Sequence, residues 1–292
     1  MKKLLYIIIL SLFTLTCSKK EPTPPPDDDG DWGVSYSWND ASPAWSPDSS
    51  KIAYVHRDTL LSHGYKYELW VIDVNTLEKQ MLSAFGGPPD WSPDGNWITF
   101  AFAYVFKIKP NGDSLTQLTD APHYYSKWLP DGKRISFHDN YNGLHFINGD
   151  GTGDTLRIPV ISMVDYDWSK NFQLSYTTQS LTNIYIADSN GGNVQQIYPE
   201  TGHVYTADWS PSCGEFAFEG GEKVNVYTIN IDGSNKKQLT TEGGKDPDWS
   251  PGGDKIVYCR HDPYIAPHED DKNGYLWIMN ADGSNKQQIT FP

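Results

Sequence analysis

From residue 42 to the end, the chain is a succession of apolar segments of about five residues, each closed off by Pro, Gly, Asp or Asn. "KIAYV" at 51–55, "RISFH" at 134–138 and "KIVYC" at 255–259 are followed by "LWVID" at 69–73, "LHFIN" at 144–148 and "LWIMN" at 276–280. Each of those is followed in turn by a weaker segment such as "KQMLS" at 79–83 or "KQQIT" at 286–290. β-Branched and aromatic residues dominate, the runs are too short for helices, and turn residues bound them, so the pattern predicts strands. No stretch after the N-terminal segment sustains a helical spacing of apolar positions.

The segments come in groups, and each group opens on a tryptophan. Trp45, Trp91, Trp128, Trp168, Trp209 and Trp249 follow one another at intervals of 46, 37, 40, 41 and 40 residues. A period near 40 with several short strands per unit is the sequence sign of a β-propeller. The expected fold is therefore all-β, a six-bladed β-propeller of four-stranded antiparallel blades, occupying residues 32–292. An indole on the innermost strand can fill the wedge between neighbouring blades. Pro47, Pro93, Pro130, Pro211 and Pro251 then end that strand, and pairs such as Asp94-Gly95 supply a hairpin turn. "DGSN" at 232–235 and 282–285 supplies a second turn, between the third and fourth strands.

The order W-S-P-D-G, apolar strand, aromatic strand, D-G-S-N and Q-L-T resembles the TolB-like, WD-like propeller repeat, over residues 42–292. The resemblance implies the propeller fold. It does not extend to TolB itself, because no α/β domain precedes the blades, and TolB's place in the Tol-Pal system is not carried over. Blade four departs from the pattern, with "WSKNF" at 168–172 in place of the Pro and Asp-Gly. For ring closure two arrangements are open: "GVSYSW" at 33–38 adds to the last blade, or blades one and six are held by packing alone, which is the favoured alternative.

The ends and the charge add a setting. Lys2 and Lys3 precede an apolar run from Leu4 to Leu15, shorter than the ~20 residues a membrane-spanning helix needs, so residues 1–16 read as an export signal. Cys17 stands where a bacterial lipoprotein signal places the residue that is lipidated, and 17–31 read as the lipid-attachment Cys with a Pro- and Asp-rich tether. Residues 18–31, fully extended, would span about 43 Å. Removing 1–16 leaves 21 basic and 37 acidic side chains, a formal charge of −16. Nucleic acid is a poor partner for such a chain. The expected setting is the outer membrane through the lipid anchor, on its periplasmic or outer face, and the expected state is a monomer. Cys213 and Cys259 remain after export, and whether they pair is open.

In a four-stranded meander, the turns after strands one and three share one face and here are short and uniform. The connections after strands two and four share the other face and vary, with long insertions at 56–67 and 260–274. Variable connections on a rigid scaffold are where recognition usually lives. All eight histidines (His56, His63, His123, His138, His145, His203, His261 and His268) fall in or beside that face. Tyr124, Tyr125, His203, Tyr205 and Tyr264 make the candidate binding surface for an envelope protein, peptide or glycan. Asp90, Asp167, Asp208 and Asp248 each precede a repeat tryptophan and could gather at the channel as a carboxylate site for calcium or another divalent cation. The competing reading gives each Asp a local backbone bond. "EDDKNG" at 269–274 only partly mimics a calcium loop. No G-x-S-x-G, H-E-x-x-H or phosphate-loop motif occurs. The expected function is a non-enzymatic binding or scaffold module with no obligatory cofactor. The alternative is a metal-dependent, lyase-like enzyme on polysaccharide, as in the related oligogalacturonate lyases, with loop histidines at the channel mouth.

Overall fold

A computed structural model of the chain describes residues 40–60, 64–139, 143–159, 162–197, 199, 202–261 and 274–291. The segments read as signal, tether and Cys17, and the "GVSYSW" stretch, lie outside the described residues, as do His63, Tyr264 and His268. The described residues form six four-stranded antiparallel sheets and no helix, arranged as a six-bladed propeller. Blade one covers 40–83, and the others 89–117, 124–158, 163–197, 204–238 and 245–288.

The repeat motifs are fasteners. Each anchor tryptophan is 5–7% exposed and packs against the preceding blade: Trp91 among Ala53, Leu69 and Val71, for example, and Trp209 among Ile184 and Ile186. Trp45 closes the ring in the same way, against Val257, Cys259 and Leu276 of blade six. In "DGSN", Asp232 accepts from the Ser234 amide and hydroxyl, while Gly233 and Asn235 carry the left-handed backbone at φ of 82° and 54°. In Q-L-T, the hydroxyls of Thr119, Thr240 and Thr290 accept the amides of Val105, Val226 and Leu276, which ties the outer strand to the third.

The "WSKNF" hairpin of blade four keeps the common shape but is one residue shorter. Trp168 pairs with Leu174, six residues on, where Trp45 pairs with Ile52 and Trp209 with Phe216, seven on. The insertion at 56–67 is also different from the loop expected. It is mainly an extension of strands two and three of blade one, Lys51–Leu60 and Gly64–Asp73, which pair along their whole length. Cys213 and Cys259 are both buried and free.

Candidate binding site at the mouth of the ring

The first strand of each blade starts at the face that carries the strand-two-to-three connections, and five of these starts are bulged. Register slips occur between Ala41 and Ala44, at Tyr125, and between Met163 and Asp165, Val204 and Ala207, and Lys245 and Asp248. A bulge bends the strand and re-aims a side chain. Ser42, Tyr125 and Asp246 occupy theirs with positive φ of 48°, 45° and 47°.

Between blades one, two and three these starts enclose a pocket of about 70 Å³. Ala41, Ser42, Val55, Arg57 and Tyr67 come from blade one, Gly86, Gly87 and Pro88 from the link, Ala101 and Phe102 from blade two, and Tyr124 and Tyr125 from blade three. The link glycines are there for closeness of approach. A Cβ on Gly87 would stand 1.9 Å from the Ala101 carbonyl oxygen, and one on Gly86 would stand 2.8 Å from the Leu69 nitrogen. Tyr67 and Phe102 face each other at 6.4 Å, and the Tyr125 ring stacks on His138 at 5.4 Å. The Tyr166 hydroxyl donates to the Tyr125 carbonyl at 2.9 Å, which fixes the bulge.

Deeper along the same strands lies the aspartate set. Each carboxylate accepts the backbone amide of the next blade's anchor tryptophan: Asp90 from Trp128 at 2.6 Å, Asp167 from Trp209 at 3.1 Å, Asp208 from Trp249 at 2.8 Å and Asp248 from Trp45 at 2.7 Å. The Asp-Trp pair thus grips both neighbours, indole backward and carboxylate forward. Ring closure uses the same grip, so blades one and six are joined by hydrogen bonds as well as by packing. Blades one and three have Ala44 and Lys127 at the Asp position. At the two seams that follow, the indole amine takes over: Trp91 Nε1 donates to the Ala44 carbonyl at 3.0 Å and Trp168 Nε1 to the Ser136 hydroxyl at 2.8 Å.

Lys127 lies 3.8 Å from both Asp90 and Asp167, so the acid set holds an ammonium of its own. Burial pulls its pKa down, but Asp167 and Asp90 hold it well above the ordinary lysine value. Burial pushes Asp90 up to about 6, and Asp165 and Asp248 up to about 7, against the pull of Lys127. Asp208 is pushed well up by burial and by Asp248. At the mouth, Glu219 is pushed up to about 8 by burial and by Asp246, whose amide it accepts at 3.0 Å. Among the described residues, no group of three or more His, Cys, Asp or Glu is placed to hold a metal ion.

The expected binding residues divide. Tyr124 and Tyr125 line the pocket, although they belong to the strand Tyr124–Trp128 and not to a loop. His203 and Tyr205 sit together in blade five, rings 5.9 Å apart, outside that pocket. The histidines are not one surface. His123 and His138 are core residues at 7% and 3% exposure, and His145 is held by Asp154 at 2.9 Å. His56 binds Asp40 at 2.7 Å. Sequence reasoning missed Lys127, Arg57, Tyr67 and Phe102. Lys127 was detectable as the one cation at the repeat's Asp position, whereas the other three carry no repeat signal.

A propeller whose mouth joins an aromatic pocket to an acid-lined channel is the class that fold and site define. No family model matches the chain. Its structural neighbours include TolB-like propellers: a TolB-like protein of Agrobacterium tumefaciens superposes with a TM-score of 0.65 at 19% identity, over 77% of this chain and 88% of that one. An acylaminoacyl peptidase of Pyrococcus horikoshii superposes with a TM-score of 0.53 at 12% identity, over 86% of this chain and 45% of that one. In sequence, a protein of Agrobacterium fabrum is 23% identical over 223 residues, 69% of this chain and 74% of its own length. The Tol-Pal system protein TolB of Alcanivorax borkumensis is 37% identical over 65 residues, 21% of this chain and 14% of that protein.

Proposed function

We propose that the chain is a non-enzymatic binding module of a bacterial cell envelope, which takes its partner through the face bearing the strand-two-to-three connections. The observation that carries this reading is the aromatic pocket shared by three blades, on the face that carries the strand-two-to-three connections. Rigid rings offer contact area at little entropic cost. The similarity of one 65-residue stretch to a Tol-Pal system protein supports an envelope setting. So do the export signal and Cys17, which would anchor the chain to a membrane through lipid.

Capture from envelope extract by the full chain tests the reading. Tyr124→Ala with Tyr125→Ala should weaken capture by at least ~2 kcal/mol, the scale of a buried aromatic anchor. Asn285→Gly, on the opposite face and tolerant of the positive φ there, should leave it unchanged. Capture indifferent to the tyrosines would overturn the proposal. A chelator should have no effect.

A further inference from the structure

The pocket has enough chemistry to specify what enters it. Resting on the binding reading above, we propose that it seats one aliphatic side chain, of valine to leucine size, from a basic segment of a partner protein. The lysine or arginine neighbours of that side chain lie over the acidic mouth.

Size sets the first limit. A cavity of ~150 Å³ holds benzene, so about 70 Å³ suits a smaller group. The chemistry of the walls sets the second. Ala41, Val55, Pro88, Ala101 and Phe102 with the faces of three tyrosine rings make the walls mainly apolar, the polar groups being Ser42, Arg57 and the hydroxyls of Tyr67, Tyr124 and Tyr125. An aliphatic group loses nothing against such walls, whereas a buried sugar needs a partner for each of its several hydroxyls. Arg57 is 5% exposed and already partnered, so it serves as wall and not as a free cation. The pocket is also built at a cost. Ser42 and Tyr125 hold left-handed backbone at its rim, and the Gly86-Gly87 link lies flat against blades one and two, where any side chain would collide.

Charge sets the third limit and picks the partner. Ser42, in the pocket wall, donates its amide to Asp246 at 3.0 Å, so the pocket opens directly onto the acids. Asp246 and Glu219 stand at this rim, with Asp165, Asp248 and Asp208 deeper behind them, five acids against Lys127 and Lys245. Burial keeps protons on them near neutrality, so the mouth turns negative as pH rises toward 8 or as an arriving cation draws their ionisation. Successive residues of an extended peptide are ~3.3–3.6 Å apart, so a cation one or two positions from the anchor reaches this rim. Complementary charge steers such a segment in and rejects acidic ones.

The test uses the full chain, isotope-labelled for NMR, and three peptides: acetyl-Gly-Lys-Leu-Lys-Gly-amide, the same with Glu for Lys, and the same with Ser for Leu. The Lys-Leu-Lys peptide should bind, shifting resonances at the pocket, and each control should bind at least about tenfold more weakly. Its affinity should fall with added salt. Phe102→Ala and Tyr67→Ala, in different blades, should each weaken it about tenfold with the thermal midpoint kept. Equal binding of the Glu-Leu-Glu peptide, equal binding of the Ser peptide, shifts elsewhere, or no binding at all overturns the inference. The peptide comparison needs no variant, so it stands even if one substitution unfolds the chain. An envelope partner that docks on the connection face but ignores Phe102→Ala and Tyr67→Ala removes the inference and leaves the binding reading. A partner on the opposite face removes both.

Discussion

Four residues beyond each anchor tryptophan the backbone is left-handed in every blade: Gly95, Gly132 and Gly253 in three, but Ser49, Phe172 and Cys213 in the others. Glycine adopts that conformation freely, whereas an L side chain is strained by it. Ser49 is exposed and its φ is 61°, so Ser49→Gly should stabilise the chain by about 0.5–1 kcal/mol. Gly95→Ala should destabilise it by about the same amount or more, both read as shifts in the denaturant midpoint. The Asp-Gly pairs made this turn legible from the residues alone. Phe172 gave no such sign, because its hairpin is shorter by one residue and its ring is held by the cluster around Tyr166 and Trp168.

Between elements, the Asp-Trp pair joins four of the six seams, and an indole hydrogen bond joins the other two. Trp209→Ala should cost about 3–5 kcal/mol as a core truncation against blade four. Asp208→Ala should cost about 1–3 kcal/mol by stripping the Trp249 amide of its acceptor. If Asp208→Ala is neutral while Trp209→Ala is severe, the seams rest on packing alone. The tryptophan period was readable in the chain, and with it the number and order of blades. The forward carboxylate bonds were not, since Asp90 and Trp128 are 38 residues apart and nothing local marks them as partners. For the same reason the chain alone did not show that Asp90, Asp167, Asp208 and Asp248 each accept a different backbone amide.

For the whole molecule, the raised carboxyls set a pH dependence. Asp165, Asp248 and Glu219 hold protons in the folded chain up to about 7, 7 and 8, well above the ordinary range in which an unfolded chain releases them. The folded state therefore binds more protons through this window, and stability falls as pH rises from 6.5 to 8. Below 6.5 the trend is opposed, because burial lowers the pKa of His123 and His138 and charging them costs stability. The thermal midpoint should thus fall between pH 6.5 and 8, and Glu219→Gln should flatten the fall. A midpoint that rises over that range would contradict the buried-acid description.

The binding face was partly legible in the same way as the fold. Alternation in a meander assigns Tyr124, Tyr125, His203 and Tyr205 to one side of the ring. Which of them share a hollow depends on bulges and a glycine link, which only the packed blades reveal. The central claim is that this side is the working one, and the most direct measurement is hydrogen exchange across the chain with and without a captured envelope partner. Protection should concentrate at 40–42, 55–57, 86–88, 101–102 and 124–125, beside the pocket. Protection confined to the uniform turns at 94–95, 131–132, 232–235 and 282–285, on the far side of the ring, would contradict the account.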